Sequence, residues 1–273
     1  MPTSALGLAL AAALVHALWN VLLARARDVQ AATAVALLVA EVAFLPVTVV
    51  VWNVHRAVIP FLVASGALQL LYFTLLASAY RVAELSVVYP IARGTAPVLV
   101  LTVGAVALGR ATSVGQVIGV CLVGLGVLLV RGLRGDPGRG VSLGLLIACV
   151  IAAYTLVDKN GVKHAGAIPY LELGMIGPTV LYGSAIARTK GLHALRIAWG
   201  ATTVVAGICT FGAYALVLLA LQRAPAAPVA AVRESSVVVA ALLARRVLRE
   251  PVGLPRIAGA FSVAIGIALL SIT

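Results

Sequence analysis

Two arginines stand inside long apolar segments, Arg93 and Arg233, at an offset of 140 residues. A guanidinium placed mid-membrane costs about 2.5–3.5 kcal/mol on insertion scales, so such residues usually carry function. A pair of them can grip a carboxylate or phosphate with parallel N–H donors. Around Arg93 runs Tyr89-Pro90-Ile91-Ala92-Arg93-Gly94-Thr95-Ala96-Pro97. Pro90, Arg93, Gly94 and Pro97 fall at i, i+3, i+4 and i+7, one helical face. Prolines release backbone carbonyls and glycine admits close approach, so Pro90, Gly94 and Pro97 suit a hinge beside a wet cavity. The competing reading is a kinked packing seam whose arginine is neutralised by an acid. Around Arg233 runs Ala231-Val232-Arg233-Glu234-Ser235-Ser236. Neighbours on a helix point about 100° apart, so Arg233 and Glu234 need not pair. Either both arginines face one cavity, or Arg93 forms a structural ion pair with Glu234 across the chain.

Other polar residues lie in apolar stretches too. Glu41 and Glu172 are candidates for neutralising the arginines or carrying a proton. His16, Trp19 and Asn20, at i, i+3 and i+4, form one polar stripe, and a histidine there is suited to proton exchange. Tyr72 and Tyr214 are expected to shape a polar cavity. Asp158, beside Lys159 near the end of an apolar run, reads as interfacial. Gly115 and Gly119 make a GxxxG pair that permits close helix contact within the chain or in a homodimer. The sequence holds no HExxH, GxSxG or nucleotide-binding Walker motif, so neither an enzyme nor an ATP-driven pump is expected, and no cofactor is implied. Cys121, Cys149 and Cys209 have no metal-binding spacing and read as packing residues; no metal site is expected.

The elements that hold these residues follow from composition. The chain of 273 residues is 63% hydrophobic and 10% charged, with mean hydropathy +1.14. A soluble domain carries about 25% charged residues, so this chain is expected to be an all-α polytopic membrane protein. Its net charge of +12 does not point to nucleic acid, because the basic residues sit mainly in short links, where they orient helices. Ten transmembrane helices are predicted near 5–24, 31–52, 58–79, 85–109, 113–131, 141–157, 167–187, 198–221, 226–248 and 254–272. Ala24-Arg25-Ala26 resembles a cleavage site, but without a basic leader the first helix is expected to remain.

The halves match. Gly119 and Gly126 correspond to Gly259 and Gly266 at an offset of 140, Tyr72 and Arg81 to Tyr214 and Arg223 at 142, and Glu41 and Thr48 to Glu172 and Thr179 at 131. Conserved spacing within blocks marks an internal repeat. Residues 1–133 and 141–273 are the two five-helix repeats and 134–140 the polar linker. Five is odd, so the second repeat enters from the opposite side: two inverted five-helix repeats, with a site expected near the midplane between them. Lys and Arg concentrate in the links after odd-numbered helices, which places both termini outside.

The chain resembles EamA-type members of the drug/metabolite transporter superfamily over nearly its whole length. The resemblance lies in His16-Ala17-Leu18-Trp19-Asn20, Tyr80-Arg81-Val82-Ala83-Glu84-Leu85-Ser86, Tyr89 to Gly94, Val232-Arg233-Glu234-Ser235 and the glycines of the fifth and tenth helices. It implies a ten-helix carrier of small metabolites in the cell membrane, with cytoplasmic termini and a cavity lined by helices 1, 3, 4, 6, 8 and 9. Small multidrug relatives bind cations through a first-helix glutamate; here that helix has His16 and no acid. The expected function is therefore secondary transport of a small anionic or zwitterionic metabolite, such as an amino acid or organic acid, by alternating access. The alternatives are export of cationic or aromatic drug-like compounds, and a non-transporting membrane scaffold. The expected partners are a small-molecule substrate and the lipid bilayer.

Overall fold

A computed structural model of the chain describes residues 1–24, 26–82, 85–106, 109, 111–131, 137–236, 238–239 and 254–272. Ten α-helices run through them: α1 (Thr3–Ala24), α2 (Val29–Val50), α3 (Ile59–Val82), α4 (Leu85–Val106), α5 (Val114–Arg131), α6 (Pro137–Gly161), α7 (Ala167–Ala198), α8 (Ala201–Arg223), α9 (Ala226–Arg233) and α10 (Leu254–Ile272). All ten predicted helices are present. The predicted ninth helix extends to 248, and its part beyond Val239 lies outside the described residues. α7 runs past the predicted 187 because a second short helix follows Gly191, whose φ of 81° only glycine adopts without strain.

Five of the helices contain apolar stretches long enough to cross a bilayer: Thr3–Asn20, Val29–Val50, Arg56–Leu76, Gly140–Gly161 and Ala201–Arg223. Shorter apolar stretches lie in α4, α5 and α10. Large side chains such as Leu38, Val42, Leu45 and Val49 on α2 point outward, as a lipid-facing surface requires. The interior is built from small residues. On α1, Ala5, Ala9, Ala13 and Ala17 form a buried stripe, and α1 packs closely on α8. Lipid offers no hydrophobic drive between helices, so small residues that let backbones approach carry the packing.

Helix contacts obey a two-fold exchange of halves. α1 packs on α8 as α6 packs on α3, α4 on α6 as α9 on α1, and α2 on α8 as α7 on α3. Three helices meet their own counterparts: α2 with α7, α4 with α9 and α5 with α10. The glycines make this explicit at α5–α10. A Cβ on Gly119 would meet Gly266 O at 3.0 Å, and one on Gly126 would meet Gly259 O at 2.6 Å. Pairing 119 with 266 and 126 with 259 makes the two counterpart helices antiparallel, as an inverted repeat demands. The predicted GxxxG face thus places Gly119 in a contact inside the chain.

The ends of α2 and α7 are tied by charge. Asp28 caps α2, accepting the N–H groups of Gln30 and Ala31 at 3.0 and 3.1 Å, and pairs with Lys190 at 2.7 Å. Burial works to raise the Asp28 carboxyl, but the Lys190 hydrogen bond and charge and the two backbone N–H groups outweigh it and hold the group below its ordinary value.

Two outcomes follow. Gly126→Ala should destabilise the detergent-solubilised protein by about 1–3 kcal/mol, the usual cost of overpacking, because the new methyl strikes backbone. Gly7→Ala, where nothing lies within 4 Å, should leave the melting temperature unchanged. Asp28→Ala should cost about 0.5–2 kcal/mol as a lost cap, and Asp28→Asn, an equal cap without charge, less. Since the folded-state pKa of Asp28 lies below the unfolded one, its charge contribution is complete above the ordinary carboxylate range. It should fade as pH falls through the folded value, and melting curves of Asp28→Asn should lack that part of the acid sensitivity.

Candidate functional site: a buried charge cluster between the halves

Arg93 is placed by α4 and Arg233 by α9, counterpart helices that meet near the two-fold axis. Both are buried, at 5% and 3% exposure, and Glu234 between them is wholly buried. Glu234 Oε1 accepts from Arg93 Nη1 at 3.4 Å, from Arg233 Nη2 at 3.2 Å and from Arg233 Nε at 3.3 Å. Its second oxygen, Oε2, has no hydrogen-bond partner. Of the two arrangements drawn from the sequence, the geometry has the ion pair: Arg93 is paired to Glu234, and Arg233 shares the same oxygen.

The pairing of adjacent Arg233 and Glu234 departs from the 100° argument, for a local reason. α9 ends at Arg233, and Glu234 caps it with φ −70° and ψ −9°, its N–H reaching both Ala231 O and Val232 O. That tightened turn replaces regular helix, so the two side chains need not diverge. Ser235 and Ser236 resume helical backbone and are buried. A helix interrupted at a buried charge is how membrane carriers present ligand groups in the bilayer.

Around this core, α1 supplies His16. Arg93 Nη2 lies 2.9 Å from His16 Nε2, and an arginine can only donate, so Nε2 offers its lone pair. Trp19 Nε1, also a donor, faces the other ring nitrogen, Nδ1, at 3.2 Å, with the rings edge-on at 4.9 Å; a neutral imidazole has one accepting nitrogen, so the tautomer that accepts from Arg93 forgoes the Trp19 bond. Asn20 Nδ2 bonds back to His16 O at 2.8 Å, which commits that group to its own helix.

A second buried acid was misread from the sequence. Asp158 on α6 has no exposure, although its place beside Lys159 near a helix end suggested an interface. The neighbours point apart. Lys159 Nζ reaches the last carbonyls of the α8 region, Leu221 O at 2.5 Å and Ala224 O at 2.9 Å. Asp158 turns inward, where Tyr170 donates to Oδ1 at 2.8 Å and Tyr214 donates to Oδ2. Buried Ser65 of α3 bonds to the same carboxyl. Tyr214 is thus a ligand of Asp158. Tyr72, Tyr154 and Tyr214 form an edge-to-face chain with 6.2 Å between successive centroids. The fully buried Tyr154 feels both arginines and both acids. The i, i+4 spacing of Tyr154 and Asp158 carries the other reading, a polar stripe on one face of α6, and both residues are buried.

Other expected site residues lie elsewhere. Gly94 faces α5, not the arginines: a Cβ there would meet Gly124 O at 2.9 Å. α4 runs as one helix through Pro90 and Pro97; Pro97 is buried, and the Pro90 side chain lies outside the described ones. Glu41 and Glu172 pair with each other between α2 and α7 rather than with an arginine. Among the described residues no group of three or more His, Cys, Asp or Glu converges as a metal site.

Each arginine–carboxylate contact at an effective dielectric of about 20 is worth about 5 kcal/mol. Desolvating each ion costs several kcal/mol. The cluster is therefore a poor stabilising device, which favours a functional reason for its presence. The architecture and the site together define a polytopic membrane protein built from two inverted repeats around a charged, discontinuous-helix centre.

The profile of the EamA-like transporter family matches residues 3–132 and 138–272. The chain belongs to the EamA-like transporter family. It is a multi-pass membrane transporter of the drug/metabolite type, in a family of transporters rather than enzymes. No curated protein matches it. A solved structure titled only "Crystal structure of protein" superposes with a TM-score of 0.77 at 14% identity, covering 100% of this chain and 99% of its own; that likeness concerns the fold alone.

Removing Glu234 leaves two guanidiniums buried without their shared acceptor, so Glu234→Gln should cost about 3–5 kcal/mol. The Arg93→Gln/Glu234→Gln double variant should lose less than the sum of the singles. Additive losses in thermal melts would dismiss the ion pair as the source of the effect.

Proposed function

We propose that the chain is a secondary carrier of a small anionic or zwitterionic metabolite, an amino acid or organic acid, working by alternating access between its two halves in the cell membrane. The observation that carries this reading is that Arg93 and Arg233 share one oxygen of one carboxylate. Two positive charges against one negative leave a surplus that suits an incoming carboxylate, and guanidinium forks bind such groups by parallel donors. A substrate anion that takes over contacts made to Glu234 loosens the tie between α4 and α9, and so between the halves. Asp158, held by Tyr170 and Tyr214 across the tyrosine chain from the arginines, supplies the opposite charge for an ammonium end. That second pole favours a zwitterion over a simple anion. Trp19 and Tyr72 are the apolar walls of the site.

The test is a thermal-shift panel of amino acids, organic acids, phosphorylated metabolites and cationic drug-like compounds on the purified protein. A ligand that binds only the folded state at 100 times its Kd stabilises by about 2.7 kcal/mol. Stabilisation by carboxylate-bearing compounds is expected, with proteoliposome uptake of the best one. Arg233→Lys, which keeps the charge but loses the fork, should weaken binding about tenfold or more. A panel in which cationic compounds alone stabilise would sink the proposal.

A further inference from the structure

Away from the arginines, α2 and α7 bring a second set of polar groups to the two-fold axis. Glu41 and Thr48 stand at i and i+7 on one face of α2, and Glu172 and Thr179 repeat that spacing on α7. Thr179 Oγ1 donates to Glu41 Oε1 at 3.0 Å, and Glu172 comes from the facing side of the same α2–α7 contact, close enough to act on Glu41. The exchange of halves that sets Thr179 opposite Glu41 sets position 48 of α2 opposite position 172 of α7, but without the matching hydrogen bond. Thr48 Oγ1 and Glu172 Oε2, each in a residue only 2% exposed, have no hydrogen-bond partner. One half of the site is satisfied and the matching half is open.

Ionised carboxylates only accept hydrogen bonds, and Glu172 Oε2 is buried with no donor to accept from, so a proton is what would satisfy it. A low-dielectric setting also forbids both from ionising at close range. From this juxtaposition we infer that Glu41 and Glu172, with Thr48 and Thr179, form a proton-binding site separate from the arginine cluster. It holds one exchangeable proton drawn from water. The proton is shared by the two carboxyls, with the unpartnered Glu172 Oε2 the atom that carries it.

The surroundings leave the site to itself. Glu172 is the charged group acting on Glu41 among the described residues. On α7, Tyr170 is bound to Asp158 and Tyr182 packs against Phe73 of α3 with the rings tilted at 42°. On α8, Tyr214 is bound to Asp158, and Cys209 is half-buried. Phe44 and Phe211 close the α2–α8 side, their centroids 5.8 Å apart. The Asp28–Lys190 pair lies about 20 Å along α2, at 1.5 Å per residue.

The test is infrared difference spectroscopy of the whole protein in liposomes, titrated from acid to alkali without substrate, so it stands or falls apart from the arginine reading. A protonated-carboxyl C=O band is expected to disappear on alkalinisation in the wild type. That component should be missing in Glu41→Gln and in Glu172→Gln, and Thr179→Val should shift its frequency. The band surviving in both Gln variants would overturn the site, as would its displacement by sodium, which would mark a cation site instead. Should a Gln variant fail to fold, Thr179→Val and Thr48→Val keep both carboxyls, and a band that neither one moves would overturn it equally.

Discussion

A single carboxylate oxygen of Glu234 holds two guanidinium charges in the middle of the bundle, and the rest of the structure is arranged around that imbalance. The reason two arginines come so close is symmetry. An approximate two-fold axis brings α4 against its counterpart α9, so a residue near the axis meets its own copy. For an arginine that means like charge against like charge in a medium that screens poorly. Glu234 resolves it because it has no counterpart: at the offset of 140 its equivalent is Gly94. The acid neutralises one side, and the glycine lets α4 lie close to Gly124 of α5 on the other.

The same axis raises the same problem at α2–α7, where two glutamates meet. Among the described residues no unmatched cation is supplied there, and a proton is the remaining way to relieve two carboxyls brought together in a dry interface. At α5–α10 the axis brings glycine to glycine, and identity becomes an advantage, since both backbones approach at no steric cost. One geometric constraint thus yields a charge cluster, an acid pair and a tight seam, according to which side chain lies on the axis.

Much of this was legible in the sequence. Apolar runs close to the length a bilayer needs, cut by short basic links, pointed to ten helices, because backbone groups in lipid must be satisfied within each segment. Matched spacings of Glu41/Thr48, Gly119/Gly126 and Arg93 with their counterparts exposed the repeat. What stayed hidden was which faces meet. Glu41 and Glu172 were expected near the arginines because any buried acid might neutralise a buried base, and sequence offsets do not say which helix is opposite. Asp158 was hidden by Lys159: an acid beside a base near a helix end resembles a solvated pair until the side chains are seen to diverge. The contact of Arg233 with Glu234 depended on a tightened turn that no residue type at that position announces.

The on-axis rule also bears on how the halves move. Contacts between counterpart helices are the ones that every rocking of one half against the other must cross. At α5–α10 these are glycine backbones pressed together and tied by one hydroxyl, Ser262 Oγ donating to Leu122 O at 2.7 Å, and that seam is suited to act as the pivot. At α4–α9 they are charged hydrogen bonds to one oxygen, which an incoming anion can compete for. A ligand biases a two-state element only through contacts it makes differently in the two states. The shared oxygen of Glu234 offers an anion such a contact between the halves, whereas at the glycine seam the Ser262 hydroxyl is already given to a backbone carbonyl. Substrate charge and conformational change are therefore coupled at the residue that breaks the symmetry, rather than at either of the arginines that obey it.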